Sequence, residues 1–235
     1  MEYKNYQYSG VSFIKATNSK GLSIIFCPVG ASIKSISLNG EELLLTPKSA
    51  VDFLNKENKL GKTLGPVLNG EDIIIGGQKY EFDKKWQTSM FLFNTKPLFE
   101  KNYFYVQYVF HKKKNEDGLP GNVQYLISYS LNDSSNELLV DYRVMSDKDT
   151  PIRLTNELPF LIEKEEQIIE SQIINIENEK YKIEVSSAGF DYFDIHKVTH
   201  NNIEGVSLSP KNKKAEIVNS LKPYHKQILY KFIIK

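Results

Sequence analysis

Short runs in which apolar and polar positions partly alternate fill most of this chain. In "YFYVQYVF" (103–110) and "VQYLISYSL" (123–131), tyrosines and aliphatics recur at every second position, the period of a half-buried antiparallel strand. "NELLVDYRVM", "PIRLTNELPFLI" and "KQILYKFIIK" repeat the style. The first fifty residues break into similar runs, separated by Gly21, Gly30 and the Asn39-Gly40 pair. Asn-Gly between two such runs predicts a tight hairpin. One helix is expected, a short one within "AVDFLNKENKLGK". Strands recur about every 10–15 residues with turn signals between them and no helical period intervening, which predicts an all-β, antiparallel β-sandwich. No internal repeat, low-complexity tract or Gly/Ser/Pro linker divides the chain, so one domain over residues 1–235 is expected. "HKKKNEDGLPG" reads as a solvated charged turn.

Composition narrows the function. Lys plus Arg number 30 against 29 acidic residues, and only two of the 30 are arginines, Arg143 and Arg153. Such a chain has neither a net field for nucleic acid nor the forked guanidiniums that read bases or clamp phosphates. No nucleic-acid partner is expected. The single cysteine, Cys27, lies in the apolar run "LSIIFCPVG", where an inert buried thiol is the simplest reading. No signal-like start and no apolar run of about 18 residues is present, so a soluble cytoplasmic protein without a membrane partner is expected.

Motifs of nucleotide, hydrolase and zinc chemistry are missing: no P-loop, no Gly-rich dinucleotide turn, no GxSxG, no HExxH. His196 and His200 stand four apart, but "FDIHKVTHNN" reads as strand and turn and offers no carboxylate at helical spacing, so no metal site is expected.

Several stretches, in chain order, resemble the aldose 1-epimerases (galactose mutarotases). "GASIKSISLNGEELLL" is similar to that family's opening hairpin, and "LGKTLGPVLNGEDIIIGGQKYEF" to its glycine-and-asparagine segment and next hairpin. The match is strongest from the Gly118-Leu119-Pro120-Gly121 turn to "TPIRLTNELPFLI", which falls on the family's Thr-Asn-His strand. "GFDYFDI" and "GVSLSPKNKKAEI" are weaker echoes of its later aspartate and glutamate segments. The resemblance implies a galactose mutarotase-like supersandwich, a small-molecule sugar partner, proton transfer at the anomeric carbon and no cofactor. In that chemistry a glutamate acts as base and a histidine as acid, because the two tasks need groups of different pKa.

Against the family pattern this chain departs at the working positions. Glu157 falls where the acid histidine is expected, and Ser209 where the base glutamate is expected. The upstream Leu-His-Gly-Gly motif has no counterpart near "DKKWQTSMFLF", and Gly70 replaces the arginine after the groove asparagine, Asn69. Asp191 matches the aspartate that holds sugar hydroxyls. Two functional readings follow. One is a rebuilt epimerase in which Glu157 and Asp191 share the proton work, with Asn69, Trp86, Asn156 and Ser209 binding the sugar. The other is a non-catalytic relative that binds a sugar or a protein. Mutarotation of free glucose or galactose is expected to be weak or absent. Each residue also has a plainer reading: Trp86 as core, Asn69 as turn former, Glu157 as a solvated strand end and Asp191 as a tyrosine partner.

Overall fold

A computed structural model describes residues 1–66, 73–83 and 86–235. Strands account for 58% of it and helix for 4%, so β-ladders set the architecture. Seven antiparallel strands form the large sheet, in the spatial order Ile173–Glu177, Tyr181–Ala188, Tyr224–Ile234, Glu137–Ser146, Val123–Asn132, Tyr103–Lys112 and Asn94–Glu100. Its register places Val106 opposite Tyr129 and Tyr108 opposite Ile127, and all four are buried. The period-two alternation read from "YFYVQYVF" is thus the inner face of this sheet.

A five-stranded meander, Glu2–Tyr8, Val11–Thr17, Leu22–Cys27, Ser32–Leu38 and Glu41–Glu42, packs on that inner face. Phe26 meets Tyr129 at 5.5 Å between ring centroids, and the Tyr129 hydroxyl donates to the Ala31 carbonyl at 2.5 Å. The Asn39-Gly40 hairpin forms as expected: Leu38 pairs with Glu41, and φ is +52° at Asn39 and +86° at Gly40. Positive φ at both central residues is the left-handed geometry that Asn-Gly supplies. The short helix forms at Ala50–Leu54, where Ser49 caps its start by accepting from the Asp52 N–H.

A smaller, four-stranded sheet carries Pro159–Phe160, Ile203–Lys211, Tyr192–His200 and Gln167–Ile169, in that order. It is stitched to the meander where the Leu45 N–H donates to Pro159 O and the Leu161 N–H to Leu43 O, both at 2.8 Å. Phe160 meets Tyr230 of the large sheet at 6.0 Å. The two smaller sheets therefore run into one another at this seam, and both cover the large sheet's apolar face. One contiguous cluster of buried side chains, from Ile14 to Phe232, fills the space between. Cys27 is fully buried, and burial pushes its thiol up to about 11.

Candidate functional site

The segment that carries Glu157 is held on three sides. Thr155 and Asn156 pair with Leu64 and Thr63. The ladder continues past them, with the Glu157 N–H donating to Lys62 O at 3.0 Å and the Gly61 N–H donating to Glu157 O at 2.5 Å. Gly61 has φ +80°, and a Cβ there would lie 2.2 Å from Ile33 O. Only glycine lets the backbone pass between Ile33 and Glu157. On the other side, Thr155 Oγ1 donates to Pro210 O at 2.7 Å and Ser209 Oγ donates to Asn156 O at 3.1 Å. Asn156 Nδ2 donates to the Tyr230 hydroxyl at 3.0 Å. Asn156 and Ser209 are both buried. In this structure their polar atoms brace the Glu157 segment from beneath.

The opposing side chains come from the longest hairpin of the four-stranded sheet. Its register sets Tyr192 opposite Lys211, Asp194 opposite Ser209 and His196 opposite Ser207. Those six residues therefore share one face of the sheet. His196 Nε2 lies 2.8 Å from Glu157 Oε1, and His196 Nδ1 lies 3.7 Å from Asp194 Oδ2. Asp194 forms an ion pair with Lys211. The Tyr192 hydroxyl sits 3.5 Å from Arg153 Nη2. A half-buried imidazole bonded to a carboxylate is held charged to higher pH than a free histidine. The Glu157 hydrogen bond is the main cause of the upward shift, and partial burial opposes it.

Glu157 and His196 thus put a proton acceptor and a proton donor within one hydrogen-bond length. Sequence reading weighed His196 only as a metal ligand. The available signal was the alternation in "YFDIHKVTH", which sets Tyr192, Asp194 and His196 on one face. Its partner, however, is 39 residues away in sequence. Among the described residues, no group of three or more His, Cys, Asp or Glu side chains is arranged to hold a metal ion.

The other expected site residues scatter. Asp191 precedes the strand Tyr192–His200, is exposed, and accepts from the Lys213 N–H at 2.7 Å. It borders a depression of about 400 Å³ together with Asn212, Lys213, Lys214, Glu216 and Lys226. Its carboxylate is not among the groups that act on His196. Trp86 is half-buried against the core, with its ring edge-on to Phe91 at 5.9 Å. Asn69 and Gly70 lie outside the described residues. A larger depression, about 540 Å³, is lined by Glu163, Lys164, Glu165, Lys197 and Glu204. Lys197 points to the sheet face opposite His196, so that hollow is separate from the pair.

Comparison with known proteins agrees with this architecture. A curated Haemophilus influenzae protein named aldose 1-epimerase is 36% identical over 63 residues, which are 27% of this chain and 18% of that protein. The crystal structure of a galactose 1-epimerase from Lactobacillus acidophilus superposes with a TM-score of 0.85 at 14% identity, covering 99% of this chain and 98% of that one. A galactose mutarotase-like protein from Clostridium acetobutylicum superposes with a TM-score of 0.77 at 13% identity, covering 100% and 98%. At such identities the superpositions establish the fold. Family membership rests on the sequence model described as aldose 1-epimerase, which matches residues 12–221. Because that match spans most of the chain, the chain belongs to the aldose 1-epimerase family.

Proposed function

We propose that this protein binds a small sugar on the face that carries Glu157 and His196 and interconverts its anomers through that pair. The observation that carries the reading is the 2.8 Å contact between Glu157 Oε1 and His196 Nε2, which raises the imidazole's affinity for its proton. The anomeric hydroxyl and the ring oxygen are both bonded to C1, so one sugar can meet both groups. Glu157 takes the proton from the anomeric hydroxyl while His196 gives one to the ring oxygen, and the C1–O5 bond breaks to leave an open-chain aldehyde. After rotation about C1–C2, the ring hydroxyl adds to the other face of the carbonyl and both protons return. No net charge is created, and the enzyme is restored. The base and acid are the same chemical types that the family uses, a carboxylate and an imidazole. Here the carboxylate would stand where the family places its histidine.

In this reading Asn156 and Ser209 set the height of the Glu157 segment. Ser209 is not the base, because its own proton points to the Asn156 carbonyl, a group that cannot take it up. A second reading, sugar binding without turnover, is favoured by one observation. Glu157 bonds to His196, and Asp194 pairs with Lys211, so each carboxylate already has a partner within the protein.

Polarimetry on freshly dissolved α-glucose and α-galactose separates the two. A rate above buffer that Glu157→Gln and His196→Asn each lower by about 10²-fold or more supports the epimerase. Calorimetric sugar binding with no rate supports the binding module. Neither rate nor binding overturns both.

A further inference from the structure

We infer that Lys62 is a positioning residue for the Glu157–His196 pair: its buried ammonium pins the stretch of backbone that holds Glu157. The inference rests on Glu157 and His196 being the working pair, but its geometry stands without any sugar. Lys62 is fully buried, and its Nζ donates to the Asn55 carbonyl at 3.1 Å, at the end of the helix Ala50–Leu54. Its backbone carbonyl accepts the Glu157 N–H, and the preceding Gly61 N–H donates to Glu157 O. The same residue therefore ties the helix on one side to the Glu157 segment on the other. The Glu157 segment is held between two supports: the Gly61-Lys62 backbone on one side, and on the other the strand Ile203–Lys211, which pairs with the strand of His196. A shift of the first support therefore moves the carboxylate against the second.

The surroundings make this an unusual place for a cation. From the strand Leu22–Cys27 it faces the Cys27 thiol, which burial keeps protonated. From the strand Ser32–Leu38 comes Lys34, whose ammonium sits 5.8 Å from the Phe53 ring centroid, while that of Lys62 sits 5.9 Å from the same ring. From the helix side it meets the Phe53 ring and the Asn55 carbonyl. Among the described residues no carboxylate forms an ion pair with it. Burial accordingly pushes Lys62 down to about 8. An ammonium buried beside a carbonyl and an aromatic face is costly to keep, and a methionine would fill its volume without that cost. A strongly perturbed group without an ion-pair partner is a candidate for a functional task. With its side chain on Asn55 O and its main chain on Glu157, the residue is placed for a positioning task.

The test follows His196 by its ring-proton NMR shift against pH, with no sugar present. Lys62→Met should fold and show an unfolding temperature no lower than the parent. Its His196 midpoint should fall by about half a pH unit or more, as the Glu157 contact that raises it loosens. A folded Lys62→Met protein with an unmoved His196 midpoint overturns the inference. If that variant does not fold, the parent protein decides. The Gly61 and Glu157 amide signals should then shift with a midpoint that tracks the titration of Lys62 near 8. Amides that stay flat across that range overturn it. Polarimetry plays no part here, so a protein without epimerase activity leaves this test intact.

Discussion

Each of the two large hairpin systems carries a carboxylate–imidazole pair, and the two are finished differently. On the outer face of the seven-stranded sheet, Asp141 Oδ1 lies 2.7 Å from His225 Nε2. There the carboxylate also accepts from Arg143 Nε at 2.7 Å and Gln227 Nε2 at 3.2 Å. Register explains this: Asp141 sits opposite Gln227, and Arg143 opposite His225. All four residues come from two paired strands, and three of the carboxylate's roughly four acceptor sites are occupied. On the four-stranded sheet, Glu157 comes from a separate segment and reaches across to one imidazole. A carboxylate with three partners stabilises a sheet face. A carboxylate with more spare acceptor capacity beside an imidazole can also take a proton.

The sharpest way to break this comparison is to delete each imidazole in turn. If the site is where we propose, His196→Asn should reduce the anomerisation rate by about 10²–10⁴-fold. His225→Asn should leave that rate within about twofold, measured by the same polarimetry. A larger loss from His225→Asn would move the chemistry to the wrong sheet.

Next in size is the backbone that holds the first pair. Gly61→Ala places a Cβ 2.2 Å from Ile33 O at φ +80°. Left-handed backbone alone costs about 1–2 kcal/mol for a residue with a side chain, and the clash adds to it. The unfolding temperature should fall by about 4 °C or more, and the His196 midpoint should fall with it. Asp141→Asn, in contrast, should cost about 1–2 kcal/mol through its lost charged hydrogen bonds and leave the His196 midpoint unmoved. Urea melts alongside NMR titrations check both.

These contrasts mark what could be read from the chain. The large sheet was legible because its signal is local: buried and more exposed positions alternate over the first seven residues of Tyr103–Lys112 and the first five of Val123–Asn132, where a run of five buried residues begins. The Asn39-Gly40 hairpin and the short helix after Ser49 were legible for the same reason. Glu157 was singled out by resemblance to a family strand. His196 was missed because what makes it notable is a register, Asp194 opposite Ser209 and His196 opposite Ser207, and a crossing segment held by Gly61 and Lys62. None of these leaves a periodic mark in sequence. Lys62 was invisible for a further reason: a lysine in "LGKTLG" reads as a surface charge, and only the packing shows it buried.

The smallest expected effect is also the most specific. The folded-state pKa of His196 is raised, chiefly by Glu157, with Asp194 adding to the shift and Lys211 opposing it. A raised pKa means the folded protein binds this proton more tightly than the unfolded chain does. The associated stabilisation is then fully present below about pH 6.5, the free-histidine value, and is lost as pH rises through the folded value. Because the pair is partly exposed, solvent screening holds the effect to about 1 kcal/mol or less. It should be read as a difference: the stability gap between the parent and Glu157→Gln should be widest near pH 6 and narrow toward pH 9. The matching gap for His196→Asn should narrow over the same interval, since both variants remove one partner of a single interaction. A gap that widened with pH would mean that His196 is held neutral in the folded state, and the donor role assigned to it would fall.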